Sequence, residues 1–117
     1  MYNYTKIDPE TCEFVPVAEA GEIGNGERLF VEIDGFPIVV FNIAGQLFAI
    51  GDVCSHDDGP LGDGDLDEYE IVCPRHGASF DVRSGQVLSL PAIVDIPAYP
   101  VRVLEGQIEI GLPPTIS

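Results

Sequence analysis

Positive charge is scarce in this chain: five Lys and Arg stand against twenty Asp and Glu, for a formal net charge of −15. Such a surface repels phosphates and anionic headgroups, which makes nucleic acid and acidic membranes poor partners. It favours a basic protein surface instead, with association that slows as salt rises. The same charge also serves solubility, and the total alone does not separate the two. Long apolar runs are missing as well. The longest, "FPIVVFNIAG", falls far short of the roughly 20 residues that span a bilayer. The opening "MYNYTKIDPE" is not a basic, apolar leader, so the expectation is a soluble cytoplasmic protein. No window carries a sustained helical stripe. Histidine is limited to two residues and cysteine to three, so three thiols cannot all pair within one chain.

What is present is turn chemistry. Thirteen glycines and ten prolines in 117 residues point to many short strands. Extended segments are expected over residues 14–18, 28–34, 37–43, 46–51, 70–73, 79–82, 99–104 and 107–111. In "RLFVEID", Leu29, Val31 and Ile33 alternate with Phe30, Glu32 and Asp34, the period of a half-buried strand. Asp34-Gly35, Ala44-Gly45 and Glu105-Gly106 read as hairpin turns, because glycine accepts the positive φ that tight turns require. With no repeat and no linker, residues 1–117 form one domain of antiparallel strands, a sandwich or partly open barrel.

Both histidines sit beside cysteines: Cys54-x-His56, sixteen residues, then Cys73-x-x-His76. The first pair follows a strand, in a loop carrying Gly59, Pro60 and Gly62; the second lies where a strand breaks at Pro74 and turns through Gly77. A two-residue step puts Cys54 and His56 on one side of an extended chain. A turn lets Cys73 and His76 converge. Two thiolates and two imidazoles suit an iron–sulfur cluster or zinc, and spacing alone does not choose. A structural zinc site usually pairs its cysteines and its histidines, whereas here each loop supplies one of each. Cys12 stands apart, without a nearby histidine, and reads as an ordinary thiol. The acidic tract "DGDLDEYE" is no EF-hand: counting from Asp63, positions six and twelve are Glu68 and Pro74, not the glycine and glutamate such a loop needs.

"CSHDDGPLG" (54–62) and "CPRHGASFD" (73–81) resemble the two cluster-binding boxes of Rieske proteins, C-x-H and C-P-x-H-G. "GERLFVEIDG", "PIVVFNIAGQLFAIGDVCSH", "FDVRSGQVLSLPA" and "YPVRVLEGQIEIG" resemble the flanking strands of Rieske ferredoxins. The resemblance implies an all-β, Rieske-like sandwich or partly open barrel with a small two-loop subdomain, its loops near 52–62 and 72–83. It implies one [2Fe–2S] cluster, with Cys54 and Cys73 on one iron and His56 and His76 on the other. Pro74, Gly77, Gly59, Pro60 and Gly62 would let backbone N–H groups approach sulfur, besides shaping turns.

High-potential members carry an extra cysteine in each box, at positions that are Gly59 and Arg75 here, so that cross-link is ruled out. They also carry a serine and a tyrosine that donate to cluster sulfurs; here these are Ala78 and Phe80. A hydrogen bond to a charged group is worth about 1.5–3 kcal/mol. Each missing donor therefore lowers the potential by at most about 65–130 mV, within a family span of about −150 to +300 mV. Seven acids and no base lie between His56 and Cys73 (Asp57, Asp58, Asp63, Asp65, Asp67, Glu68, Glu70), which disfavours reduction further. The expectation is a low-potential electron carrier, not an enzyme, that takes electrons from an NAD(P)H-dependent flavin reductase. It would pass them to a terminal (di)oxygenase, both partners docking through basic surfaces onto a monomer. An oxygenase needs a further mononuclear iron on two histidines and a carboxylate, and both histidines here are committed. The alternatives are the small Rieske subunit of an assimilatory nitrite reductase, or a structural zinc-binding interaction module.

Overall fold

The computed structural model describes residues 12–54, 59–74, 77–92 and 94–112. Its strands, in chain order, are β1 (Glu13–Glu19), β2 (Arg28–Ile33), β3 (Phe36–Ile43), β4 (Gln46–Gly51), β5 (Asp65–Asp67) and β6 (Glu70–Val72). β7 (Ser79–Asp81), β8 (Val87–Ser89), β9 (Ala98–Tyr99), β10 (Val101–Leu104) and β11 (Gln107–Leu112) complete them, with one 3-10 turn at Ala20–Glu22. They assemble three antiparallel sheets, ordered β1-β11-β10, β2-β3-β4-β9 and β5-β6-β7-β8. Among the described residues the sheets close no barrel, and the all-β expectation of a sandwich or partly open barrel holds.

The three glycine dipeptides behave as read. Asp34 and Gly35 have φ of 51° and 82°, Ala44 and Gly45 54° and 87°, Glu105 and Gly106 52° and 81°. Two successive positive φ values are the signature of the type I′ turn, whose twist matches that of paired strands. They join β2 to β3, β3 to β4 and β10 to β11 through two-residue loops.

β3 explains why "FPIVVFNI" is apolar without alternation. Ile38 and Val40 belong to one buried cluster, with Ala49, Tyr99, Ile108, Ile110 and Leu112; Val39 and Phe41 belong to another, with Ile50, Cys54, Leu61, Ile71, Cys73 and Phe80. The middle sheet is thus covered on both faces, and side chains alternate between two cores. Each fully buried side chain of this size contributes about 1.5–3 kcal/mol. β2 keeps the predicted alternation: Leu29, Val31 and Ile33 are half-buried while Phe30 and Glu32 are exposed.

Three elements depart from expectation. The segment 99–104 is divided at Pro100, between β9 in the middle sheet and β10 in the first, because proline lacks the ladder donor. β5 and β8 are additional; both are three residues long, and β5 is Asp-Leu-Asp, which no β-propensity would select. Among the described residues, no helix is long and apolar enough to cross a membrane.

Candidate metal centre

β4 ends at Gly51 and leads directly into the first box. Asp52 Oδ1 accepts the N–H groups of Leu61 at 2.9 Å and Gly62 at 2.6 Å. Arg28, at the start of β2, donates from one guanidinium nitrogen to the carbonyls of Gly62 and Gly64, and its charge lies 5.2 Å from the Phe41 ring centroid. Gly62 is therefore held at both ends of its backbone, by a carboxylate and by a guanidinium. Cys54 N–H donates to Gly59 O at 2.8 Å, closing the loop. Gly64 lies so close to β6 that a Cβ on it would fall 1.7 Å from the Val72 carbonyl oxygen, so any side chain there would push the first box off the third sheet.

The second box runs between β6 and β7. Cys73 N–H donates to Ala78 O at 2.6 Å, and Gly77 N–H to Cys73 O at 3.1 Å. Gly77 takes φ +80°, the left-handed turn that brings its amide back to Cys73. Cys54 and Cys73, nineteen residues apart in sequence, are buried in the same apolar cluster together with Leu61, Ala78 and Phe80. The histidines expected beside them, His56 and His76, lie outside the described residues, as do Asp57, Asp58 and Arg75.

Cys12 is not brought to this place. It is half-buried against the other core, next to Gly111, and none of the three cysteines is disulfide-bonded.

This arrangement fits an iron–sulfur group. Two thiols from different loops converge out of water. Ala78 is completely buried, yet its backbone N–H has no acceptor among the described residues. A buried N–H is costly without a partner, and the sulfurs of a cluster held by Cys73 would supply acceptors. The two positions where a hydroxyl could have donated, Ala78 and Phe80, are both 0% exposed.

Beside the second box, β5 to β8 form an open groove of about 270 Å³ lined by Asp67, Glu68, Tyr69, Glu70, Asp81, Arg83 and Leu88. Arg83 pairs with Asp81 through Nε at 3.0 Å and Nη2 at 2.8 Å and stacks 4.2 Å from the Tyr69 ring centroid. Its hydrogen bond holds the Asp81 carboxyl below the usual carboxylate range. Of the seven acids of the sequence tract, Asp63, Asp65, Asp67 and Glu68 are exposed and Glu70 is half-buried.

Sequence reasoning did not single out Arg28, Asp52 or Ser89. The first two brace the first box; Ser89 bonds the second, through Ser79 N–H at 3.1 Å, Ser79 Oγ at 2.7 Å and Gly77 O at 3.5 Å. The one available signal was that Arg28 is among only five basic residues.

Comparison with known proteins identifies the class. Residues 13–100 match the family model of the Rieske [2Fe–2S] domain, and the chain belongs to that family; it carries a [2Fe–2S] cluster. The chain is 42% identical over 100 residues to the 3-phenylpropionate/cinnamic acid dioxygenase ferredoxin subunit of Escherichia coli (strain K12), covering 84% of this chain and 90% of the relative. The ferredoxin of carbazole 1,9a-dioxygenase from Nocardioides aromaticivorans IC177 superposes with a TM-score of 0.78 at 31% identity, over 86% of this chain and 98% of that one. A chain from a complex of reduced oxygenase and oxidized ferredoxin in carbazole 1,9a-dioxygenase matches with a TM-score of 0.75 at 31% identity, covering 82% and 99%.

Proposed function

We propose that this protein is the one-electron carrier of a multicomponent oxygenase system, shuttling electrons from an NAD(P)H-oxidising flavin reductase to a terminal ring-hydroxylating dioxygenase. The observation that carries this reading is the match along almost the full length of stand-alone ferredoxin components, combined with two buried cysteines brought into one core by separate loops. Cys54 and Cys73 hold one iron and His56 and His76 the other. The cluster supplies a site that gains and loses a single electron. The two loops, about 52–62 and 72–83 within a single domain spanning 1–117, hold it at one end of the sheets.

The protein's own contribution is positional and electrostatic. Asp52 and Arg28 fix the first loop, the Cys73–Ala78 hydrogen bond fixes the second, and the apolar cluster excludes water from the cysteine side. Ala78 and Phe80 offer no hydroxyl, and the exposed acids favour the oxidised form, so the potential lies low in the family range of about −150 to +300 mV. The acidic rim docks basic surfaces on reductase and oxygenase, and the carrier works as a cytoplasmic monomer.

The test is a visible and EPR spectrum of the anaerobically purified protein before and after dithionite, followed by a redox titration. A red-brown protein that bleaches on reduction, with a rhombic signal averaging below the free-electron value, is expected. Cys54→Ser and His76→Ala should lose that signal. A colourless protein with one zinc, or a potential well above about +100 mV, overturns the reading. Oxygenase turnover driven by the reduced protein should fall as salt is raised; turnover indifferent to salt refutes the docking element.

A further inference from the structure

Ser79 is the buried polar residue of the described core, 2% exposed, and it begins β7 directly after the second box. β7 pairs with β8 as Ser79↔Ser89 and Phe80↔Val87, so Leu88 is an extra residue. A bulge of this kind re-aims its neighbours, and here it brings the Ser89 side chain to the end of the ladder. Ser89 Oγ accepts Ser79 N–H at 3.1 Å, lies 2.7 Å from Ser79 Oγ, and donates to Gly77 O at 3.5 Å. A hydroxyl has one proton and two lone pairs. One arrangement satisfies all three contacts: Ser79 O–H donates to Ser89, and Ser89 donates to the Gly77 carbonyl.

That carbonyl belongs to the same trans peptide as the Ala78 N–H. In a planar trans peptide the two groups point in opposite directions, so a hydroxyl that holds the Gly77 oxygen also sets where the Ala78 N–H points. This N–H is the buried donor that lacks an acceptor among the described residues, and Ala78 O is already engaged by Cys73 N–H.

We infer that Ser89 is a positioning residue for the iron–sulfur site: by holding the Gly77 carbonyl, it aims the Ala78 N–H as a hydrogen-bond donor to the cluster's sulfur. The inference rests on the Rieske reading above. A donor to sulfur stabilises the reduced, more negative state, so loosening it lowers the potential. In Ser89→Ala the reduced-to-oxidised ratio at fixed potential should fall threefold to tenfold, a shift of about 28–59 mV downward for one electron. Ser89→Thr, which keeps the hydroxyl, should restore the wild-type potential. Ser79→Ala leaves the Ser89 to Gly77 bond in place and should shift the potential by less than Ser89→Ala.

A second measurement needs no loss of the hydroxyl. In otherwise wild-type protein with ¹⁵N at alanine alone, pulsed EPR of the reduced cluster should show a ¹⁵N coupling that disappears in Ala78→Gly. Persistence of that coupling in Ala78→Gly, its absence from labelled wild type, or an unchanged potential in Ser89→Ala with only a lower melting temperature would each overturn the inference. The rhombic signal itself reports separately whether the Rieske reading holds.

Discussion

Asp52 offers the sharpest test of how the first box is held. Its Oδ1 atom accepts from Leu61 at 2.9 Å and Gly62 at 2.6 Å, and both residues are buried, Leu61 at 0% exposure. Truncation in Asp52→Ala leaves two donors without an acceptor. Each orphaned group costs about 1–3 kcal/mol, and water entering the vacated carboxylate space recovers part of it. The net loss for the loop is therefore about 2–4 kcal/mol. The damage is local, because the box opens without the sheets coming apart. A loss of that size raises the open population by about 30- to 700-fold, at tenfold per 1.4 kcal/mol. Cluster release into excess iron chelator, followed by the decay of visible absorbance, should accelerate accordingly. Asp52→Asn keeps a carbonyl oxygen at the same place and loses only the charge assistance, about 1 kcal/mol or roughly fivefold. Release from Asp52→Ala within threefold of wild type would refute the brace. So would equal release from the Asn and Ala variants, since the argument turns on the acceptor.

Further outcomes follow from the same geometry. Arg28→Met retains the apolar stem against Phe41 but loses the donors to Gly62 and Gly64, and chelator release should rise about tenfold, as for loss of a charged hydrogen bond. Gly64→Ala meets the Val72 carbonyl and should destabilise by about 3 kcal/mol or more, read as a lower denaturation midpoint. Asp81 has a carboxyl pKa depressed mainly by its hydrogen bond from Arg83. Its stabilising contribution is present above the unfolded pKa and is lost as pH falls through the lower folded one. Carboxyl ¹³C NMR of the oxidised protein should find Asp81 titrating below the usual aspartate range, and Arg83→Ala should return it toward that range.

Local signals in the sequence were strong wherever a few adjacent residues decide a conformation. Asp34-Gly35, Ala44-Gly45 and Glu105-Gly106 each fix two positive φ values, and those fix the register of the hairpins around them. The paired boxes carried the resemblance to Rieske proteins for the same reason, since ligand and turn residues sit next to one another; the resemblance, not the spacing, implied the cofactor. Contacts formed across the fold were not legible. Arg28 reaches carbonyls 34 and 36 residues away, and a carbonyl has no residue type to betray it. β8 was hidden because its pairing depends on a bulge at Leu88, and β5 because Asp65 and Asp67 are poor strand formers held in place by pairing with Val72 and Glu70 on the neighbouring strand. The division at Pro100 was visible in the residue, but which sheet each half would join was not.

The braces of the two boxes differ in a way that bears on the potential. Serine hydroxyls, which are neutral, bind the second box. The first is bound by a carboxylate on Gly62 N–H and a guanidinium on Gly62 O. These two charges grip opposite ends of one residue, so their fields at the cluster oppose each other, and the pair braces the loop while adding little net charge. Removing either charge alone should uncover the other. Asp52→Asn leaves the guanidinium uncompensated, which favours the added electron and raises the potential; Arg28→Met leaves the carboxylate and lowers it. The double variant should return toward wild type, because the two changes share one residue and the same nearby electrostatic field. Part-buried charges are screened weakly by salt, so the opposed shifts should persist at high ionic strength, where docking to a basic partner has weakened. Shifts of the same sign in the two single variants would show that loop loosening, not charge, controls the potential.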